Sequence, residues 1–201
     1  MKNGWRRAAA EISGAALLGI VLGALAKYLD TVPSNGSLIN EVLHWFADLF
    51  TRLGIWVFLA VLLAAFCRTP RRAAARVFAF FAGMLIAYYV YSMHLFGFFP
   101  MRYFLFWGVL ALTSPACAVI VWLGRHHEKL AWVLPALPVG LMLELAVSAG
   151  WGYVSVHHPA ELVMAAALCA VFYRSPKQLA CVLALSIAAV PVIRAVMPFA
   201  F

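Results

Sequence analysis

The hydrophobic positions of this chain run in long blocks, unlike the short and interrupted apolar stretches of a soluble domain. A helix needs about 20 apolar residues to cross the hydrocarbon of a bilayer, and seven blocks come near that length. They predict an all-α membrane protein with about seven transmembrane helices, or six with one interfacial or re-entrant helix. The predicted spans are residues 8–29, 50–67, 73–93, 102–123, 130–150, 160–173 and 178–197.

One segment alternates apolar and polar residues at helical spacing. In residues 37–53, apolar side chains such as Leu38, Val42 and Phe46 are separated by polar ones such as Glu41. This pattern predicts an amphipathic helix on the outer side of the membrane. Two placements stay open, because the helix either lies flat on the surface or extends the second span into water.

Composition supports the membrane interpretation. The 201 residues are 66% hydrophobic and 11% charged, with a mean hydropathy of +0.96, whereas soluble domains are about half apolar and about a quarter charged. The basic N-terminus resembles a signal peptide, but the apolar block behind it carries Glu11 and ends in Lys27 and Asp30. It is therefore interpreted as the first span of a single integral membrane domain, residues 1–201.

The net charge of +8 is explained by topology. With a cytoplasmic N-terminus and alternating spans, eleven of the fifteen Lys and Arg residues fall on the cytoplasmic side. This asymmetry is what orients membrane proteins, so no nucleic-acid partner is expected. The predicted location is the cytoplasmic (inner) membrane of a bacterium, crossed several times, with membrane lipid as a partner.

A faint internal repeat is present. FCRTPRRAA at 66–74 resembles FYRSPKQLA at 172–180. Parallel repeats over 8–93 and 130–197, around a linker span at 102–123, would explain this likeness. The alternative is a convenient Arg-[Ser/Thr]-Pro turn that the chain uses twice.

Charges inside a membrane span are costly and often functional, and Glu144 and Arg194 are two of the charged residues within the predicted spans. Glu144 follows Pro135 and Pro138, which are expected to kink or break their helix. Arg194 lies at a similar distance from the inner end of its own span. We therefore predict a Glu144–Arg194 ion pair in the outer half of the membrane, and a purely structural pair is the alternative.

Aromatic and polar residues gather at the outer ends of several spans. An aromatic belt at the interface accounts for Trp and Tyr but not for the charged groups beside them. An outward-facing cavity for a small, partly apolar or aromatic solute accounts for both. The predicted ligand-binding residues are Glu144, Arg194, Lys27, Tyr88, Tyr89, Tyr91, His94, Arg102, Trp107 and Trp151.

The first span carries small residues on one face, at Ala15, Gly19 and Gly23. This face permits close approach of another helix, from within the protein or from a partner. Together with the outward cavity, it resembles the substrate-capture (S) components of energy-coupling factor transporters. That resemblance implies that the face docks a coupling subunit, which acts with an ATPase. The chain departs from that family, which typically has six spans and vitamin-specific loop motifs. It is also similar to uncharacterised small multi-span bacterial membrane proteins.

Three functions follow from these features. The first is a transporter or substrate-capture subunit, acting with a coupling subunit and ATPase or as a homo-oligomer. The second is a membrane enzyme on a lipid or isoprenoid headgroup, with His94, Glu144 and His158 as acid–base candidates. The third is a non-catalytic assembly subunit. Because the cysteines and histidines form no recognisable ligand motif, we expect no metal and no cofactor.

Overall fold

The computed structural model describes residues 2–32, 37–150 and 153–196. Within these ranges the chain forms eight α-helices, a short 3₁₀ helix at Leu130–Trp132 and one antiparallel strand pair. The fold is therefore overwhelmingly helical, as predicted. The elements are α1 (Lys2–Leu29), α2 (Leu38–Thr51), α3 (Leu53–Ala65), α4 (Pro70–Phe96), α5 (Met101–His126), α6 (Ala136–Ala146), β1 (Val147–Gly150), β2 (Tyr153–Val156), α7 (Pro159–Phe172) and α8 (Pro176–Val196).

Four described helices are long and apolar enough to cross a membrane, namely α1, α4, α5 and α8. A fifth candidate arises if α2 and α3 are counted as one bent span. The remaining apolar helices, α6 and α7, are shorter. Helix length and composition thus fit a multi-pass membrane protein.

The predicted span 130–150 is not one continuous helix. The 3₁₀ helix ends at Trp132, and α6 begins only after Pro135, which lacks the N–H that would continue a helix. The break that Pro135 predicts is therefore present. The prediction was wrong at the other end, because α6 stops at Ala146 and the chain continues as β1.

The strand pair is the main departure from the predicted all-α fold. β1 and β2 pair antiparallel, with Val147 opposite Val156 and Gly150 opposite Tyr153. Valine favours strands because its branched Cβ is stiff in a helix. The hairpin connects α6 with α7, and residues 151–152 between the strands lie outside the described ranges.

The helices group into two compact units. Unit 1 comprises residues 1–51 and 66–119, and unit 2 comprises residues 52–65 and 120–201. The predicted first repeat, 8–93, does not coincide with unit 1, because residues 52–65 belong to unit 2.

In unit 1, α1 and α4 pack side by side in parallel. Glu11 of α1 lies 4.0 Å from Arg72, in the first turn of α4. Further along both helices, the Tyr88 hydroxyl of α4 donates a hydrogen bond of 2.7 Å to Asp30, just after the end of α1. Since the residue numbers rise together along both helices, the two helices run in the same direction.

In unit 2, α6 and α8 are also parallel. The side-chain amide of Gln178, near the start of α8, donates a hydrogen bond of 2.7 Å to the carbonyl oxygen of Ala131. Ala131 lies in the 3₁₀ helix that precedes α6. Further along both segments, the Ser186 hydroxyl oxygen lies 3.3 Å from the carbonyl oxygen of Ala136. Helix α7 lies between α6 and α8 in the sequence, and it contacts α6.

The repeated Arg-[Ser/Thr]-Pro sequence begins a helix in both places. The Thr69 hydroxyl accepts a hydrogen bond of 3.3 Å from the Arg72 amide at the start of α4. The Ser175 hydroxyl accepts one of 3.2 Å from the Gln178 amide at the start of α8. In both cases proline follows the capping residue, where its missing N–H costs nothing.

The amphipathic segment 37–53 forms a helix of its own. Helix α2 exposes apolar side chains such as Leu38, Ile39 and Val42, while Leu49 is buried. The helix ends at Thr51, and α3 begins at Leu53. Arg52 therefore lies at a break between two helices.

Candidate functional site

Glu144 and Arg194 form the ion pair that the sequence predicted. The Arg194 Nε lies 2.7 Å from Glu144 Oε1, and a terminal guanidinium nitrogen lies 3.2 Å from Oε2. Both carboxylate oxygens are thus engaged by one guanidinium, a geometry that fixes its orientation. The pair joins α6 to α8 near the ends of the two helices.

The two partners differ in exposure. The Glu144 side chain is 1% exposed, whereas the Arg194 side chain is 44% exposed. The carboxylate is therefore part of the packed interior of unit 2, whereas the guanidinium that it holds is partly exposed.

A second ionic cluster in unit 2 was not predicted as a pair. Arg52 Nε lies 3.1 Å from Glu161 Oε1, and the Glu161 side chain is fully buried. The same guanidinium contacts His158 Nδ1. Because 108 positions separate Arg52 from Glu161 in the sequence, no local pattern indicated their contact.

The two clusters adjoin each other along the chain. The carbonyl oxygen of Ala146, at the end of α6, accepts hydrogen bonds from the amides of His157 and His158 at 3.0 and 3.3 Å. Glu144 lies two residues before this point, and Glu161 lies in the first turn of α7 just after it. One junction of unit 2 therefore holds two buried carboxylates, each paired with an arginine.

Unit 1 brings together two other predicted residues, Lys27 and Tyr88. The Lys27 ammonium lies 3.4 Å from Asp30 and about 5 Å from the ring centres of Tyr88 and Phe96. A cation over aromatic faces is stabilised by the ring quadrupole. Lys27 is buried, whereas Asp30 and Phe96 are exposed, so this cluster lies at the edge of the contact between α1 and α4.

Among the remaining predicted residues, Tyr89 adjoins the Lys27 cluster, because its ring packs edge-on against that of Tyr88. Tyr89 is buried, and its ring also packs against Phe99 and Phe104. The others differ in exposure: Tyr91 and Trp107 are half-buried, and His94 and Arg102 are exposed. Trp151 lies outside the described residues.

The small-residue face of α1 is covered by the chain itself. Ala15, Gly19 and Gly23 are buried, and the two glycines lie directly against the backbone of α4 at Phe80 and Met84. Of the two alternatives, packing within the protein is the one observed. A coupling subunit would need a different surface of α1.

Replacing Tyr88 with phenylalanine is expected to lower the free energy of unfolding by about 1 to 2 kcal/mol. The change keeps the ring but removes the hydroxyl that donates to the Asp30 carboxylate. Unfolding in mixed micelles, followed by circular dichroism, measures the loss. Tyr28→Phe is the matched control, since Tyr28 lies in α1 with an exposed ring. Equal stability of the two variants would contradict the role assigned to this hydrogen bond.

Within the described residues, four helices, or five with the bent pair α2 and α3, are long and apolar enough to cross a membrane, and unit 2 holds two ion pairs with buried carboxylates. Comparison with protein-family models, with curated proteins and with solved structures finds no match. The resemblance to energy-coupling factor S components therefore stays a prediction. Function has to be argued from the site itself.

Proposed function

We propose that this chain is an integral membrane protein that binds a small, partly apolar or aromatic solute from the non-cytosolic side. It then passes that solute inward, alone, as a homo-oligomer or with a coupling subunit and ATPase. The observation that carries the proposal is the contrast between the buried Glu144 carboxylate and the half-open Arg194 guanidinium.

Hydrocarbon cannot solvate a guanidinium, so charged residues in membrane helices face water, protein or a ligand. The open side of Arg194 therefore meets water or a polar group of the solute. Glu144 holds the cation in one orientation, which lowers the entropic cost of binding. A planar guanidinium held in this way matches a carboxylate or a phosphate.

Helix directions support seven crossings. If α1 and α4 run parallel and both cross the membrane, the segment between them, α2 with α3, has to return across it. The same argument makes α7 the return between α6 and α8. Adding α5 gives seven. With a cytoplasmic N-terminus, which the positive-inside asymmetry favours, the ends of α6 and α8 face the non-cytosolic side of a bacterial inner membrane.

The short helices of unit 2 support an aqueous depression at that end. Helix α7 has 14 residues, about 21 Å at 1.5 Å per residue, against a hydrocarbon core of about 30 Å. The chain continues from α6 to α7 as a hairpin with two buried ion pairs nearby. Non-helical backbone at membrane depth is tolerated where it is packed in protein or lines water. Both conditions suit a solute-binding cavity.

A binding screen tests this function. The purified chain is scanned by thermal shift against small carboxylates and phosphates that carry aliphatic or aromatic groups. At least one compound should stabilise the protein, and Arg194→Lys should weaken its binding about tenfold or more, because lysine cannot form the bidentate contact.

Arg71→Lys is the matched control, since Arg71 is an exposed arginine in the first turn of α4, which belongs to unit 1. It should bind the compound as wild type does. A screen without any stabilising compound would count against the proposal. So would equal binding by the Arg194 and Arg71 variants.

The other two functions lack a comparable observation. For an assembly subunit, the glycine face would have to be open, and α4 covers it. For an enzyme, the acid–base candidates were His94, Glu144 and His158; of these, Glu144 is paired with Arg194 and His158 contacts Arg52.

A further inference from the structure

Glu161 is an unusual carboxylate for a packed helix. Its side chain is fully buried, and a Cβ on Gly54 of α3 would lie 2.9 Å from its Cγ. The side chain therefore occupies the space that a glycine leaves open on α3. Neither carboxylate oxygen accepts a hydrogen bond within the described part of the chain, although buried polar groups are nearly always hydrogen-bonded.

The charged surroundings of Glu161 are simple. Helix α3 carries no charged residue, and α6 carries only Glu144, which Arg194 already engages. On α7 itself, the nearest titratable side chain is that of His158 at the N-cap. Arg52 is therefore the cation that balances Glu161, and it does so through an ion contact of 3.1 Å without hydrogen-bond geometry.

Arg52 is placed to serve two partners. It lies at the break between α2 and α3, where no continuous helix fixes its backbone. Its guanidinium reaches Glu161 through Nε and contacts His158 through a terminal nitrogen. Its side chain is 17% exposed while that of Glu161 is fully buried, so Arg52 is the accessible member of the pair.

We propose that Glu161 is a proton-binding site whose proton exchanges with Arg52. When a proton from water bonds to a carboxylate oxygen, the ion pair is lost, and Arg52 shifts toward His158 and solvent. When that proton leaves for water, Arg52 returns. The exchange keeps Glu161 neutral or paired at every stage, which a fully buried carboxylate requires. That this proton drives solute passage rests on the function proposed above, whereas the proton binding itself does not.

Infrared difference spectroscopy of the full chain in lipid bilayers, without solute, tests the exchange. Acidification should produce the C=O stretch of a protonated carboxyl that lacks hydrogen bonds, and Glu161→Gln should abolish that band. In Arg52→Gln the band should be present already at neutral pH, because the buried carboxylate has lost its cation.

Glu41→Gln is the matched control, since Glu41 also lies in the first turn of a helix but is exposed. It should keep the band. If the single variants do not fold, Arg52→Gln/Glu161→Gln removes both charges together and should lack the band as well. A band that persists in either Glu161 variant overturns the proposal, as does its absence from Arg52→Gln at neutral pH. Because no solute is added, these outcomes are independent of the Arg194 screen.

Discussion

Replacing Gly19 by alanine is expected to lower the free energy of unfolding by about 3 kcal/mol, the upper end of the range for overpacking. The new Cβ would lie 2.0 Å from the carbonyl oxygen of Phe80. That atom belongs to the backbone of α4, so no side-chain rotation relieves the clash. The two helices would have to move apart along their whole contact.

Gly14→Ala is the control within the same helix. No atom lies within 4 Å of the Cβ position at Gly14. The substitution should therefore leave stability unchanged or raise it by up to about 1 kcal/mol, since alanine is the better helix former. Reversible unfolding in mixed micelles measures both variants. Similar losses at Gly14 and Gly19 would show that α1 and α4 do not pack as described.

The consequence extends beyond stability. The contacts of Glu11 with Arg72 and of Asp30 with Tyr88 both depend on the alignment that the glycines permit. If the helices separate, the Lys27 ammonium also loses its contacts with the rings of Tyr88 and Phe96. The small-residue face of α1, for which a partner helix was one of the two predicted occupants, thus determines how α1 and α4 pack in unit 1.

The long helices could be predicted from the sequence because their signal is local. The blocks at 73–93 and 102–123 correspond to α4 and α5 with ends shifted by only a few residues. The Glu144–Arg194 pair was also predictable, since two lone charges at matching depth in parallel spans have few other partners. In these cases burial and length leave one solution.

The hairpin and the Arg52–Glu161 contact could not be predicted in this way. An apolar run from Leu130 to Gly150 reads as a helix by length, and nothing local shows that Val147 pairs with Val156. The contact of Arg52 with Glu161 depends on how α3 packs against α7, and this tertiary packing is not encoded in any local sequence pattern. Gly54 is its one sequence signal, as a residue without a side chain facing a buried carboxylate.

Breaking the Glu144–Arg194 pair is expected to have unequal effects from its two sides. Arg194→Gln leaves a carboxylate that is 1% exposed without its cation, which costs about 3 to 5 kcal/mol for a buried charge. Glu144→Gln leaves a cation that is 44% exposed, and water solvates that group at a cost nearer about 1 kcal/mol. The burial difference, and not the loss of attraction common to both variants, produces the asymmetry.

Glu144→Gln/Arg194→Gln separates the contributions. With both charges gone, the double variant should be more stable than Arg194→Gln alone, because no uncompensated charge remains in the interior. Unfolding of the three variants in the same micelles measures the double-mutant cycle. Equal losses in the two single variants would mean that Arg194 is as enclosed as Glu144. The open guanidinium, on which solute recognition depends, would then be absent.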